Sequence, residues 1–289
     1  VSAFISIMRG CNNVCSYCVV PYTRGAERSR DPKTIVDEAR DVFSKGYKEV
    51  TLLGQNVDSY NWKPEDGQGC DFPDLLEMVA GISPELRVRF ATNHPKDISD
   101  KLIDTMAKYA NICEHIHLPV QSGSDRLLEK MRRRYTSGWY LDRVARIREV
   151  MPGCGITTDV IAGFCSETEE DHRQTLGFDY AYMFYYSERP GTLAARHYPD
   201  DVPPDVKTRR LNEIIALQNE LSLKSNRNDI GKVFRVLVEG PSKKNPEELC
   251  GRSGSNKMCV FPGGGHKAGD YVDVEVVSCT SATLIGKLV

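Results

Sequence analysis

The chain has 289 residues, 40% of them hydrophobic and 27% charged, a globular composition with room for one large domain and one small one. Its formal net charge of −2 gives no global attraction to a polyanion, so a nucleic-acid surface has to be a local patch. No stretch approaches the roughly 20 apolar residues of a membrane span, so no membrane partner is expected.

The first residues, VSAFISIM, read as a strand without an initiator Met or a secretory pattern, and an upstream part is expected to be missing. The cysteine-rich loop follows, and DPKTIVDEARDVFSKG then reads as a helix, with Pro32 in its first turn and Ile35, Val36, Ala39 and Phe43 on one face. Strand and helix patterns keep alternating: EVTLLG and FPDLLEMVAGI, LRVRFAT and DISDKLIDTMAKY, then HIHLPV before SDRLLEKM and GWYLDRVARIREVM. GITTDVIAGF and SETEEDHRQTL precede a sixth strand, FDYAYMFYY. Six alternations predict a parallel α/β sheet, flat or curled into a partial barrel, with its site at the carboxyl ends of the strands. SETEEDHRQTL runs into the sixth strand with little room for a full crossover, so a few residues near 176–177 are expected to be absent. A long amphipathic helix with Leu211, Ile214, Ile215 and Leu221 on one stripe closes this part. Beyond it, short strands punctuated by Gly, Pro, Asn and Asp predict a small antiparallel β-barrel. The boundary falls between residues 1–228 and residues 229–289.

Cys11, Cys15 and Cys18 lie within eight residues of RGCNNVCSYCVVPYTRG, and seven further cysteines are scattered. Clustered cysteines without export signals point to metal binding in a reducing compartment, here the cytoplasm, and scattered ones to buried apolar residues. A structural zinc site brings four ligands, usually as two pairs, and no second pair lies nearby. A redox pair at Cys15 and Cys18 leaves Cys11 unexplained. Three thiolates can instead hold three irons of a [4Fe–4S] cluster and leave the fourth open.

Cys-x3-Cys-x-aromatic-Cys after the first strand of a parallel α/β domain is the signature of radical S-adenosylmethionine (SAM) enzymes, and Cys11, Cys15, Tyr17 and Cys18 match it. The chain resembles that family. CVVPYTRGAERSR, LLGQNVDSY, HLPVQSGSDRLLEKMRRRYT, TTDVIAGFCSETEED and YSERPGT make it similar to the methylthiotransferases, and most similar to their tRNA-acting branch. The terminal strands resemble the RNA-binding TRAM module.

The resemblance implies a partial (β/α)6 barrel followed by a TRAM-like β-barrel. It also implies a cluster on Cys11, Cys15 and Cys18 whose open iron is chelated by SAM. One electron then breaks the S–C5′ bond, giving methionine and a 5′-deoxyadenosyl radical. Carried over by motif, Tyr17 packs near the adenine, and Gln55, Gln121, Ser122 and Asp159 lie around SAM. Ala162, Gly163 and Phe164 offer it a backbone edge. Ser122 and Ser124 have the alternative role of capping the helix that follows, and Asp159 that of a structural acceptor. Cys165 stands where the family commonly has Pro-Gly after the Phe, and is not read as a ligand. His94 and His117, at strand ends, are either scaffold residues or neighbours of SAM and substrate. Arg24, Arg28 and Arg30 either bind the SAM carboxylate or RNA phosphate, or are ion-paired.

Seven Lys/Arg against one acidic residue between Lys130 and Arg148 make the strongest basic patch. Within it Arg132, Arg133 and Arg134, with Tyr135, are expected to grip phosphate and stack a base. Lys243, Lys244, Arg252, Lys257 and Lys267 offer the barrel's contacts to RNA.

The implied reaction adds a methylthio group to C2 of the isopentenylated adenosine beside the anticodon, with the tRNA anticodon stem-loop and a reducing donor such as flavodoxin or ferredoxin as partners. The sulfur comes in the family from a second, auxiliary [4Fe–4S] cluster held by an N-terminal domain that this chain lacks. The alternatives are a methylthiotransferase acting on an aspartate of a ribosomal protein, a zinc- or disulfide-dependent oxidoreductase, and an RNA-binding module with a structural cluster. The first reading predicts that the reconstituted chain cleaves SAM without methylthiolating RNA. Methylthio product formed by this chain alone, detected by nucleoside mass spectrometry, would contradict it.

Overall fold

Parallel strands buried on both faces need helical crossovers to return the chain, and the N-terminal part is built that way. The computed structural model describes residues 1–65, 67–175 and 181–289. Strands β1 (Ser2–Ser6), β2 (Glu49–Leu53) and β3 (Arg87–Ala91) pair in parallel in chain order. So do β4 (His115–His117), β5 (Gly155–Ala162) and β6 (Ala181–Tyr185). A single parallel bridge from Val88 to Ile112 joins the two halves. The six parallel strands are those the alternation predicted, and their joining through that bridge fits the partial (β/α)6 barrel that the resemblance implied. The expected gap near residues 176–177, and the first residues of FDYAYMFYY, lie outside the described residues.

Two short helices, α1 (Val20–Arg24) and α8 (Leu193–His197), form where the sequence predicts none, and the others follow the predicted runs: α2 (Pro32–Ser44), α3 (Phe72–Ala80), α4 (Asp100–Lys108), α5 (Asp125–Lys130), α6 (Ser137–Val150), α7 (Glu169–Thr175) and α9 (Pro204–Arg227). Their starts are chemically marked. Asp31 accepts from the Lys33 amide ahead of α2, and Asp71 and Asp74 form a capping box on α3. Ile35, Val36 and Ala39 of α2 then meet Ile5, Val50, Leu52 and Val88 of the sheet in one apolar core. Each such fully buried Val, Leu or Ile contributes about 1.5–3 kcal/mol.

The long helix differs from its predicted apolar stripe. Its buried residues are Lys207, Arg210, Ile214, Gln218, Ser222 and Asn226, whereas Leu211, Ile215 and Leu221 are only partly covered. Each polar member is paired. Lys207 binds Asp200, Arg210 binds Glu167 at 2.9 Å, Gln218 donates to Ser222, and Asn226 donates to the carbonyls of Thr280 and Ser281. Buried polar groups are tolerated when paired in this way, although Asn226 Oδ1 has no partner among the described residues.

The C-terminal strands β7 (Val233–Pro241), β8 (Glu248–Arg252), β9 (Met258–Pro262), β10 (Tyr271–Cys279) and β11 (Leu284–Leu288) form a closed barrel in the order β7-β8-β9-β11-β10. The pairs are antiparallel except β9 with β11. Directions cannot alternate all the way round a ring of five, so one parallel pair is unavoidable.

This barrel docks beneath the amino ends of the large domain's strands. Arg87, at the start of β3, donates to the Arg252 carbonyl at 2.7 Å and the Arg235 carbonyl at 3.0 Å. Arg89 donates to the Ser253 carbonyl at 2.8 Å and pairs with Glu49 at 2.7 Å. Tyr271 reaches back to the carbonyls of Lys48 and Glu85. At Gly155, the first residue of β5, a Cβ would stand 2.4 Å from the Ser255 carbonyl oxygen, so only glycine fits this approach.

Removing one partner of a buried pair leaves the other charge uncompensated. Arg89→Met is therefore expected to cost about 3–5 kcal/mol of unfolding free energy in urea. Adding Glu49→Gln should recover part of that loss, and an unchanged midpoint in the single variant would show that the pair carries no weight.

Candidate active site

The cysteine loop leaves β1 through a short antiparallel pair, Met8–Arg9 with Arg28–Ser29, and is pinned from several sides. Gly10 has φ +80°, and a Cβ there would lie 2.0 Å from the Ala26 carbonyl oxygen. Asn12 exchanges hydrogen bonds with Glu27. Asn13 accepts from Lys96 Nζ at 2.8 Å. Ser16 donates through its amide to the Met131 carbonyl and through its hydroxyl to the Lys130 carbonyl, and accepts from the Ala194 amide at 2.7 Å.

The three cysteines are in free-thiol form, with Cys15 buried and Cys11 and Cys18 half-buried. Burial pushes the Cys11 and Cys18 thiols up, and neighbouring cysteines of the loop raise both further. Thiols so placed ionise when a cation compensates them, as metal binding does. Among the described residues no three His, Cys, Asp or Glu side chains converge on a position for a single ion. A cubane spreads its irons, so its thiolates need not converge as a zinc set must. The donor set fits a three-thiolate cluster. Val20 N–H already points at Cys18 Sγ at 3.4 Å.

Tyr17 lies behind the loop, edge-on to Phe164 with ring centroids 6.5 Å apart, and Phe164 in turn meets Tyr186 and Tyr198. Phe164 is fully buried in an apolar cluster with Leu127, Met131 and Cys165, and Cys165 is thus a packed core residue. Ala162 ends β5 and is buried, and Gly163 follows with φ +71°. Glu167 accepts the Gly163 amide at 2.5 Å, and Arg210 holds Glu167. Gln121 also has positive φ, and its backbone joins β5 by the bonds Gln121 N–H to Asp159 O and Ile161 N–H to Gln121 O. Asp159 Oδ2 lies 3.5 Å from His117 Nε2, and His117 Nδ1 lies 3.0 Å from Thr157 Oγ1. Gln55 is half-buried after β2.

Several expected roles change. Ser122 is fully buried, its hydroxyl beside Thr175 Oγ1 and accepting the Ser124 amide, so it braces the turn and offers SAM no hydroxyl. Ser124 gives its hydroxyl to Asp171, with no side-chain cap on α5. Arg133 is buried at 4% exposure, and Tyr135 spends its hydroxyl on the Pro119 and Val120 carbonyls. Neither grips phosphate or stacks a base from there. Arg132 and Arg134 are exposed and line an open cleft with Val14. In the barrel, Lys257 is drawn to Asp229 at 2.6 Å and Ser225, and Arg252 pairs with Glu239 at 3.2 Å, whereas Lys243, Lys244 and Lys267 are exposed. Arg30 binds the Ser6 carbonyl and Glu38, while Arg24 and Arg28 are exposed.

Sequence reading missed a polar lattice around the strand-end loops. Asp58 accepts from Asn93 Nδ2 at 2.5 Å and from the His94 amide at 3.1 Å, and Asn56 donates to Asp97 at 2.7 Å. Burial of His94, with Arg133, Lys96 and Arg134 nearby, pushes its pKa down to about 2, so its imidazole is neutral at physiological pH. The available signal was Asn and Asp spaced among apolar residues in GQNVDSY. Desolvation, with Asp97 adding to it, lifts Asp58 to about 7. The folded protein therefore binds a proton more readily than the unfolded chain between about pH 4 and pH 7. The stability Asp58 contributes is full below about pH 4 and is lost as pH rises through about 7. The difference in unfolding free energy, wild type minus Asp58→Asn, should fall from pH 5 to pH 8, and a flat difference would contradict the shift.

Two family models match the chain: the radical SAM superfamily over residues 5–178 and the TRAM domain over residues 227–289. Among curated proteins, the chain is 57% identical to a tRNA-2-methylthio-N(6)-dimethylallyladenosine synthase of Bacteroides fragilis, covering 99% of this chain and 64% of that one. It is 55% identical to the protein of that name from Porphyromonas gingivalis, covering 100% and 64%. The chain thus spans less than two thirds of these relatives' length. Among solved structures, coproporphyrinogen III oxidase of Escherichia coli, described as a radical SAM enzyme, aligns with TM-score 0.56 at 13% identity, covering 95% of this chain and 66% of that one. That likeness concerns the fold.

Proposed function

Because the chain belongs to the radical SAM superfamily, which implies a [4Fe–4S] cluster and SAM, we propose that it is the radical-generating and RNA-contacting part of a tRNA methylthiotransferase. The observation that carries this reading is the pinned loop of Cys11, Cys15 and Cys18 at the carboxyl end of β1, in a chain that ends in a TRAM barrel. The curated relatives' name supports the substrate class, an N(6)-dimethylallyladenosine of tRNA that gains a 2-methylthio group; a position beside the anticodon is part of this proposal.

When bound, the cluster and SAM supply a carbon radical strong enough to take hydrogen from an unactivated C–H bond. The chain's own residues hold and screen this chemistry. Cys11, Cys15 and Cys18 provide three thiolates and leave one iron position for SAM. Tyr17 and Phe164 form an apolar wall behind the loop, which keeps water from that side. Backbone at Gln121 and at Ala162-Gly163-Phe164, with Asp159 and Gln55, offers hydrogen-bonding edges to SAM. Arg132 and Arg134 at the mouth, and Lys243 and Lys244 on the barrel, suit phosphate contacts. A second cluster on a further domain would supply the sulfur, a flavodoxin- or ferredoxin-like donor the electrons, and the cytoplasm the reducing compartment.

Anaerobically reconstituted and reduced, the chain should convert SAM to methionine and 5′-deoxyadenosine, and Cys15→Ala should abolish this. Replacing both Lys243 and Lys244 by Ala should weaken binding of an anticodon stem-loop and lower the salt slope by about 1 per lost phosphate contact. Iron-loaded protein that leaves SAM intact would sink the enzymatic reading. An unchanged salt slope would remove these lysines from the RNA surface.

A further inference from the structure

Arg132, Arg133 and Arg134 are the same residue type, yet solvent reaches only the outer two. Arg132 and Arg134 have left-handed backbone, φ 58° and 61°, and the run alternates exposed, buried, exposed. Left-handed backbone is costly for a non-glycine residue, so one on each side of a buried cation calls for a compensating use of that cation.

The guanidinium of Arg133 supplies it. Nη1 lies 3.3 Å from Cys15 Sγ and 3.4 Å from Tyr17 Oη. Nη2 donates to the Pro119 carbonyl at 2.8 Å, and Nε donates to Tyr135 Oη at 2.9 Å. Tyr135 is itself fixed by two carbonyls, and its ring lies 5.3 Å from the guanidinium. The hydrogen-bond partners of Arg133 are a cysteine, two tyrosines and a carbonyl, and among the described residues no carboxylate forms an ion pair with it. A cation out of water wants a counter-charge, and the thiol it touches is one of the three on the cysteine loop.

We propose that Arg133 is a positioning residue for the cluster: its buried guanidinium holds Cys15 Sγ in place and eases the addition of an electron to the loaded centre. This rests on reading Cys11, Cys15 and Cys18 as cluster ligands. Reduction adds one electron, supplied by dithionite in the test, and makes or breaks no bond. Negative charge grows by one unit beside a fixed positive charge in a poorly solvated pocket, which favours the reduced form.

The test is a potentiometric titration, followed by electron paramagnetic resonance, of the anaerobically reconstituted chain. Wild type is compared with Arg133→Met, Arg133→Lys and the charge control Arg40→Met, at an exposed position on α2, at equal iron and sulfide content. At the potential where half the wild-type cluster is reduced, Arg133→Met should show an approximately tenfold lower ratio of reduced to oxidised cluster, a shift of about 59 mV to more negative potential for one electron. Arg133→Lys should fall between, and Arg40→Met should match wild type. A wild-type midpoint in Arg133→Met overturns the proposal. If that variant loads no cluster, a wild-type midpoint in Arg133→Gln does the same. Wild-type chain that takes up no iron overturns the cluster reading itself, whereas loaded clusters of equal potential overturn only the role of Arg133.

Discussion

A guanidinium removed from water keeps its place only where carbonyls, carboxylates or sulfur replace the lost solvent, and this molecule depends on that exchange at four points. Arg87 and Arg89 tie the small barrel to the sheet, Arg210 holds the corner after β5 through Glu167, and Arg133 stands against the cysteine loop. All four are buried. None contributes as a surface ion pair would, since such pairs are worth little. Their importance lies in direction: the rigid fork of donors in each fixes two or more partners at once.

The cysteine loop shows the same economy with neutral groups. It is tied to the C-terminal end of α5 through Ser16, to α8 and to the segment at residues 25–27, and Lys96 secures Asn13 from the loop after β3. A loop held from elements far apart in sequence has little freedom left, so its thiols are placed before any metal arrives. Preorganisation of this kind is what a site needs to bind a multi-atom centre without reordering its scaffold.

Much of this was readable in advance, and the limits have physical causes. The alternation of β-rich and amphipathic runs located all six parallel strands, because periodicity is a local property. The spacing of Cys11, Cys15 and Cys18 marked out the loop that the structure pins after β1 for the same reason. Arg133 was misplaced on a basic surface because nothing in three consecutive arginines tells which one the backbone turns inward. Lys257 and Ser122 were misplaced because their partners, Asp229 and Thr175, are 28 and 53 residues away. The buried stripe of α9 eluded a hydrophobic pattern because its members are paired polar groups. RVRFA did carry a usable signal: two arginines alternate within a buried strand, and such residues must find carbonyls or carboxylates beyond the sheet.

The barrel's docking position has a geometric consequence for any RNA that engages both domains. It is fastened at the amino ends of β2, β3 and β5, whereas the cysteine loop leaves the carboxyl end of β1. A five-residue strand spans about 17 Å, so the two ends of the sheet are separated by at least that depth. A nucleic acid held by the barrel while a base enters the mouth has to run down the flank of the domain. Under the proposed function, the sheet would then act as a ruler, with the distance from phosphates on the barrel to the base at the mouth selecting a hairpin by its length as well as by its sequence.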